Sequence, residues 1–102
     1  MPVRIEWHPA TEADLRKLDP VVRKRIVNAV ERLGDIDDPR QRLVAYVESL
    51  RGYWKLRVGD YRVVCDLQRA ADDQLVLVIY VVHRSQAYLA QSLRTIHRRS
   101  ED

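Results

Sequence analysis

The chain has 102 residues, with 18 Lys and Arg against 15 Asp and Glu, a formal net charge of +3. That length predicts one small domain over residues 1–102, and so small an excess of charge steers a polyanion only where it is concentrated. A single cysteine, Cys65, excludes an internal disulfide, and no Cys and His cluster has zinc-ligand spacing. The longest apolar run, Leu75 to Val82, is too short to span a bilayer, and the N-terminus lacks the apolar core of a signal peptide, so a soluble cytoplasmic protein without a membrane partner is expected.

Val3 to Trp7 alternates, with Val3, Ile5 and Trp7 on one face and Arg4 and Glu6 on the other, which predicts a half-buried strand. Thr11 followed by Asp14 resembles a capping box opening a short helix through Leu18, and Asp19-Pro20 then supplies an N-cap and a first-turn proline for a second helix. Val22, Ile26, Val30 and Leu33 recur at helical spacing, and Gly34 stands where a left-handed C′ glycine belongs. Loop economy makes the two helices an antiparallel hairpin. Three acids between Asp35 and Asp38 follow, and then the charge reverses: Arg51 to Arg62 holds four basic residues and one acid, Asp60.

Tyr53 to Val58 alternates again, with Trp54, Leu56 and Val58 inside and Tyr53, Lys55 and Arg57 outside. Gly59-Asp60 fits a two-residue hairpin loop, which fixes the register: Leu56 opposite Val63, Trp54 opposite Cys65, and Arg57 opposite Arg62. Ala70 to Gln74 reads as a turn and Leu75 to Val82 as a central strand covered on both faces. Gln86 to about Arg98 reads as a helix with Leu89, Leu93 and Ile96 on one stripe and Arg94, Arg98 and Arg99 on its polar face. The element order is therefore β-α-α-β-β-β-α, an α+β chain.

Like charges directly opposite each other destabilise a sheet. A chain that keeps Arg57 against Arg62 on the face that also carries Lys55 has the composition of an anion site, and arginine forks match phosphate best. The alternative is a solvated pair splayed toward an acid such as Asp66. Trp7, Trp54 and Cys65 read as core, His8 as a strand-end residue and His97 as a solvated helix position.

The stretch from Leu50 to Val64, with Leu50-Arg51-Gly52, a basic strand and Gly59-Asp60-Tyr61-Arg62, joined to the His83-Arg84 and Tyr88 pattern about twenty residues on, resembles the RelE/ParE superfamily of bacterial toxins, the RelE branch in particular. The resemblance implies a RelE-like domain with a small twisted, mainly antiparallel sheet, an N-terminal helical hairpin and a C-terminal helix. It implies the toxin of a type II toxin-antitoxin system: a ribosome-dependent mRNA endoribonuclease, or mRNA interferase, that cleaves message in the A site by 2′-hydroxyl attack on the scissile phosphate, inhibiting translation without metal or cofactor. The implied partners are a cognate antitoxin, the ribosome with its mRNA, and operator DNA only through the antitoxin complex.

Carried over by position, Arg62 matches the arginine on the scissile phosphate, Lys55 and Arg57 match basic positions of the same strand, and Arg84 is a candidate general acid or further phosphate ligand. Tyr88 is the candidate general base. A free tyrosine ionises near pH 10, so that role asks for surrounding cations, or the ring stacks on a base instead. Arg84 and Tyr88 share a face if a helix has begun by Ser85. Arg51, Arg94 and Arg98 are further RNA-binding candidates. Where some RelE members have a lysine two residues before Lys55 this chain has Tyr53, which makes His83 a candidate acid or base. The stripe of Leu89, Leu93 and Ile96 packs on the chain's own sheet or is displaced by an antitoxin helix, and an acidic antitoxin segment over Arg57 and Arg62 would remove the charge conflict. The resemblance also leaves open a ParE-like DNA gyrase inhibitor, or plasmid stabilisation protein, without nuclease activity, and an inactive relative that serves with its antitoxin in an operator-binding complex.

Overall fold

The computed structural model describes residues 3–102. Val3–Trp7 (β1), Val44–Ala45 (β2), Trp54–Val58 (β3), Tyr61–Ala70 (β4) and Asp73–His83 (β5) form one sheet in the spatial order β1-β5-β4-β3-β2. Only β1 against β5 is parallel; the helices and β2 to β4 all lie between them in the chain, more than the crossover length that parallel neighbours need. Thr11–Arg16 (α1), Pro20–Glu31 (α2) and Ala90–Ser100 (α3) complete a mixed α+β architecture.

The sheet separates two cores. Ile26, Val30 and Leu33 from α2 and the turn after it pack with Leu56, Val58, Val63, Cys65, Val78 and Val81 on one face. On the other, Ile96 of α3 packs with Tyr46, Leu50, Val64 and Ile79. This double coverage explains the unbroken apolar run of β5. Between Val64↔Tyr80 and Cys65↔Val78 the register slips by one residue, so Ile79 is an extra residue on β5, the signature of a β-bulge.

Several local expectations change. Thr11 is the first residue of α1 rather than its cap: its hydroxyl donates to the His8 carbonyl at 2.6 Å, and Asp14 accepts from the Val81 N–H at 3.1 Å and from Arg99 at 2.7 Å instead of closing a capping box. Asp19 does cap α2, accepting from the Val21 N–H, with Pro20 in the first turn. Gly34 is not left-handed. It continues in a 3-10 turn, Arg32–Asp35, where an added Cβ would meet the Val3 carbonyl at 3.6 Å and Ile5 of β1 at 3.9 Å, ordinary van der Waals contacts. The residues expected to form a turn before β5 are mostly strand: β4 and β5 meet at Ala71 and Asp72, Asp73 pairs with Arg4 at 2.7 Å, and buried Gln74 donates to the Asp37 carbonyl at 2.8 Å. The helix expected from Gln86 begins at Ala90, after a 3-10 turn at Arg84–Gln86, which leaves Leu89 as its N-cap residue and 54% exposed. Leu93 and Ile96 do face the sheet. Among the described residues no helix is long and apolar enough to cross a membrane.

Candidate functional site

The hairpin register places Arg57 opposite Arg62, Leu56 opposite Val63 and Trp54 opposite Cys65, as the two-residue loop dictates. Gly59 has φ +57°, the left-handed backbone that such a loop requires. Arg62 folds one nitrogen back onto that loop: Nη1 donates to the carbonyls of Gly59 at 3.0 Å and Tyr61 at 2.9 Å, leaving Nε and Nη2 for another acceptor. Arg84 reaches the same loop from the end of β5, its N–H donating to the Asp60 carbonyl at 2.8 Å and its Nε standing 3.6 Å from the Asp60 carboxylate. That ion pair is exposed and weak. Two arginines thus converge on one turn.

A second group gathers around Tyr46, a residue that no sequence motif marked. Tyr46 follows β2, pairs its N–H with the Tyr53 carbonyl at 3.0 Å, and is 4% exposed. The Lys55 ammonium lies 5.0 Å above its ring centroid, and the Tyr88 ring meets it edge-on at 6.0 Å. Burial raises the Tyr46 phenol to about 12, with Tyr88 and Cys65 adding to the shift and Arg62 opposing it. Its hydroxyl is buried without a hydrogen-bond partner among the described residues. Tyr88 itself is 59% exposed. The ring of Tyr46 therefore holds two candidate site residues, and its hydroxyl contributes nothing visible to them.

Lys55 and Tyr88 are brought together on the Tyr46 ring, Arg62 lies near enough for its charge to act on the Tyr46 phenol, and Arg84 joins Arg62 at the hairpin loop. Arg57 is exposed on the strand next to them. Arg51 is exposed in the turn that feeds β3: its φ of −55° and ψ of 133°, Gly52 at φ +100° and the Tyr53 N–H to Leu50 carbonyl bond of 3.0 Å describe a type II turn, which requires glycine at its third position. Arg94 and Arg98 lie exposed along α3, a helix that turns Ile96 to the sheet. Arg99, expected on the same polar face, is instead committed: it donates to both Asp14 carboxylate oxygens, at 2.7 and 3.1 Å, and to the Ile79 carbonyl at 3.0 Å.

His83 stands apart from the cations. It pairs with Tyr61 across the strands, its ring edge-on to that tyrosine at 5.3 Å, whereas Arg62 pairs with Val82 on the opposite face. Its Nδ1 accepts from the Ser85 N–H and lies 2.8 Å from the Ser85 hydroxyl, so the imidazole caps the 3-10 turn. That turn also ends the idea of Arg84 and Tyr88 on one helix face, because neither belongs to an α-helix. Tyr53, expected to open the strand, lies just before β3 and hydrogen-bonds α3 instead: its hydroxyl is 2.7 Å from the Ser100 hydroxyl. Among the described residues no three His, Cys, Asp or Glu side chains converge as a metal-ligand set.

A family model for the ParE toxin of type II toxin-antitoxin system, parDE, matches residues 5–88. No curated protein matches the chain. Among solved structures the chain is similar to the toxin-antitoxin complex RelBE2 from Mycobacterium tuberculosis, at 22% identity over 82% of this chain and 100% of that chain, with a TM-score of 0.70. It is similar to the Escherichia coli toxin RelE, an arginine double mutant in the free state, at 20% identity over 97% and 98% with a TM-score of 0.63. A YoeB/ParE toxin from Agrobacterium tumefaciens follows at 15% identity over 78% and 97%, with a TM-score of 0.60. At these identities the structural likeness is one of fold.

Proposed function

From the premise that this chain belongs to the RelE/ParE superfamily of type II toxin-antitoxin toxins, we propose that it is a ribosome-dependent endoribonuclease of the RelE kind. The observation that carries the reading is the convergence of Arg62 and Arg84 on the Gly59–Tyr61 turn, beside Lys55 and an exposed Tyr88 that share the Tyr46 ring. In the reaction the 2′-oxygen forms a bond to phosphorus, the bond to the 5′-oxygen breaks, and the products are a 2′,3′-cyclic phosphate and a 5′-hydroxyl. One proton leaves the 2′-hydroxyl and one must reach the departing oxygen.

Each residue has a task that its position suits. Arg62, anchored through Nη1, presents its remaining N–H groups to the phosphorus oxygens, where charge grows in the transition state. Arg84 adds a second fork from the same turn, and Arg57 a diffuse positive field. Tyr88, open to solvent, takes the 2′-hydroxyl proton or stacks on the neighbouring base, and Lys55 donates toward the leaving oxygen. His83 is left out, since its Nδ1 is occupied on the other face. A cognate antitoxin is the regulatory partner we propose, supported by the RelBE2 complex among the structural relatives.

A second reading, inhibition of DNA gyrase, is favoured by the ParE description of the matching family model. Inducible expression of wild type beside Arg62→Ala and Tyr88→Phe, with mapping of message ends on translated and untranslated RNA, separates them. The nuclease reading expects cuts confined to translated message and lost in Arg62→Ala. Growth arrest without such cuts, together with loss of supercoiling activity, would establish the gyrase reading instead.

A further inference from the structure

The outer edge of β5 is left open at one place. β1 lies beside β5 only from Gln74 to Val78, and further along two side chains stand in for a strand. Arg99 donates to the Ile79 carbonyl at 3.0 Å, and Asp14 accepts from the Val81 N–H at 3.1 Å. In an extended strand the N–H and C=O of one residue point the same way, and those of the next point back. Val81 therefore faces outward, and so does His83, whereas Val82 pairs with Arg62 and the Arg84 N–H reaches the Asp60 carbonyl on the β4 side. The Val81 C=O and the His83 N–H stand next to each other on this edge, and among the described residues neither has a hydrogen-bond partner.

The open edge lines a cavity of about 220 Å³, together with Lys17 and Leu18 from the end of the first helix and the aromatic residues Tyr61 and Tyr80. Its one carboxylate, Asp14, is already held by Arg99. Lys17 is exposed and forms no ion pair among the described residues. The volume is below the roughly 300 Å³ at which pockets for drug-sized ligands begin, so it admits one planar ring system and leaves the rest of the molecule outside. A peptide strand does not fit. Asp14 blocks the edge on one side and the 3-10 turn at Arg84 ends it on the other, which leaves one donor and one acceptor where strand addition needs a run of them.

We infer that this cavity is a site for a free purine nucleotide. The Watson–Crick edge of a base carries a donor beside an acceptor, and it spans the Val81 C=O and the His83 N–H as the peptide of a parallel neighbour would. The ring lies among Tyr61, Tyr80 and Leu18, where a purine has the wider face to stack. The phosphate remains outside, beside Lys17. Of the residues lining the cavity Lys17 is the one Lys or Arg, enough for one phosphate and short of the track of cations that a polynucleotide follows. The site has a consequence for the hairpin loop. Arg84 follows His83 and is drawn to that loop by its own N–H, so a base held by the His83 N–H braces the turn that delivers Arg84.

The test is a titration of the chain with AMP, GMP and CMP, followed by amide NMR at His83. AMP or GMP is expected to move the His83 amide resonance saturably, with CMP weaker. The N1-methylated form of whichever purine nucleotide binds, its Watson–Crick edge blocked, is expected to leave that resonance in place. Lys17→Ala should weaken the nucleotide roughly fivefold, as for loss of an exposed ion pair, and leave the matching nucleoside unchanged. A His83 amide that responds to neither purine nucleotide overturns the inference, as does equal binding of CMP or of the blocked analogue, or equal weakening of nucleotide and nucleoside by Lys17→Ala. Tighter binding of a 2′-O-methylated oligonucleotide of the same base than of the nucleotide overturns it too, by making the cavity a subsite for RNA. None of these readouts depends on message cleavage, so the site stands or falls apart from the nuclease reading.

Discussion

Tyr46, a side chain that the proposed chemistry does not use, holds two of the candidate site residues against its ring. The Lys55 ammonium above its ring and the edge-on Tyr88 each contribute on the order of 0.5–1.5 kcal/mol, while its hydroxyl is buried and unpartnered. Tyr46→Phe is therefore expected to leave message cleavage unchanged and to hold or raise stability by up to about 1 kcal/mol, since it deletes a desolvated polar group. Tyr46→Leu should lower cleavage with the fold retained. Thermal unfolding beside a cleavage assay checks both, and destabilisation by Tyr46→Phe would mean that the hydroxyl has a partner. Cys65, fully buried, has its thiol pushed up to about 12 by desolvation first and Asp66 second. Both groups hold their protons more tightly folded than unfolded. Stability from this source is thus complete below the unfolded values, 9.0 for the thiol and 10.0 for the phenol, and falls as pH climbs above about 9. Denaturant midpoints measured from pH 7 to 11 should decline over that window, and alkylation of Cys65 should follow global unfolding.

At the scale of elements, the Gly59-Asp60 loop was legible because a two-residue hairpin turn admits one register, and that register carried Arg57 and Arg62 with it. Gly59→Ala is expected to cost roughly 1–2 kcal/mol. The penalty lies in the backbone at φ +57°, since the new Cβ would meet only Arg25 Nη1 at 3.8 Å. Urea unfolding checks this, with Gly59→Asn, better tolerated at positive φ, as the milder comparison. What the sequence hid were elements held by distant partners. Asp14 looked like half of a capping box, but its partner is Arg99, 85 residues away. Asp73 and Gln74 looked like turn residues, yet Arg4 and the Asp37 carbonyl satisfy them within a strand. Two-residue β2 has no periodicity to read, and Tyr46 was missed with it. The Asp14–Arg99 pair is 7% and 11% exposed at its side chains and ties α3 to α1. Asp14→Ala strands a buried guanidinium and is expected to cost about 3–5 kcal/mol by denaturant titration.

For the whole molecule, alternation along β3 and the run of β5 disclosed a sheet buried on both sides, and the tally of apolar positions disclosed most of the core. Which face each cation serves depended on where the helices came to rest. Arg62, Lys55, Arg84 and Tyr88 gather about the hairpin loop and Tyr46, whereas Arg57 also borders a groove along α2. The central claim, that this constellation turns a 2′-hydroxyl onto its neighbouring phosphate, is tested most directly by the ends of RNA cut on translating ribosomes by the purified chain. The account predicts 2′,3′-cyclic phosphate and 5′-hydroxyl termini with wild type, and a loss of cleavage in Arg62→Ala on the order of a hundredfold or more, as for removal of a transition-state charge donor. Uncut message under these conditions, or wild-type cleavage by Arg62→Ala, would contradict it.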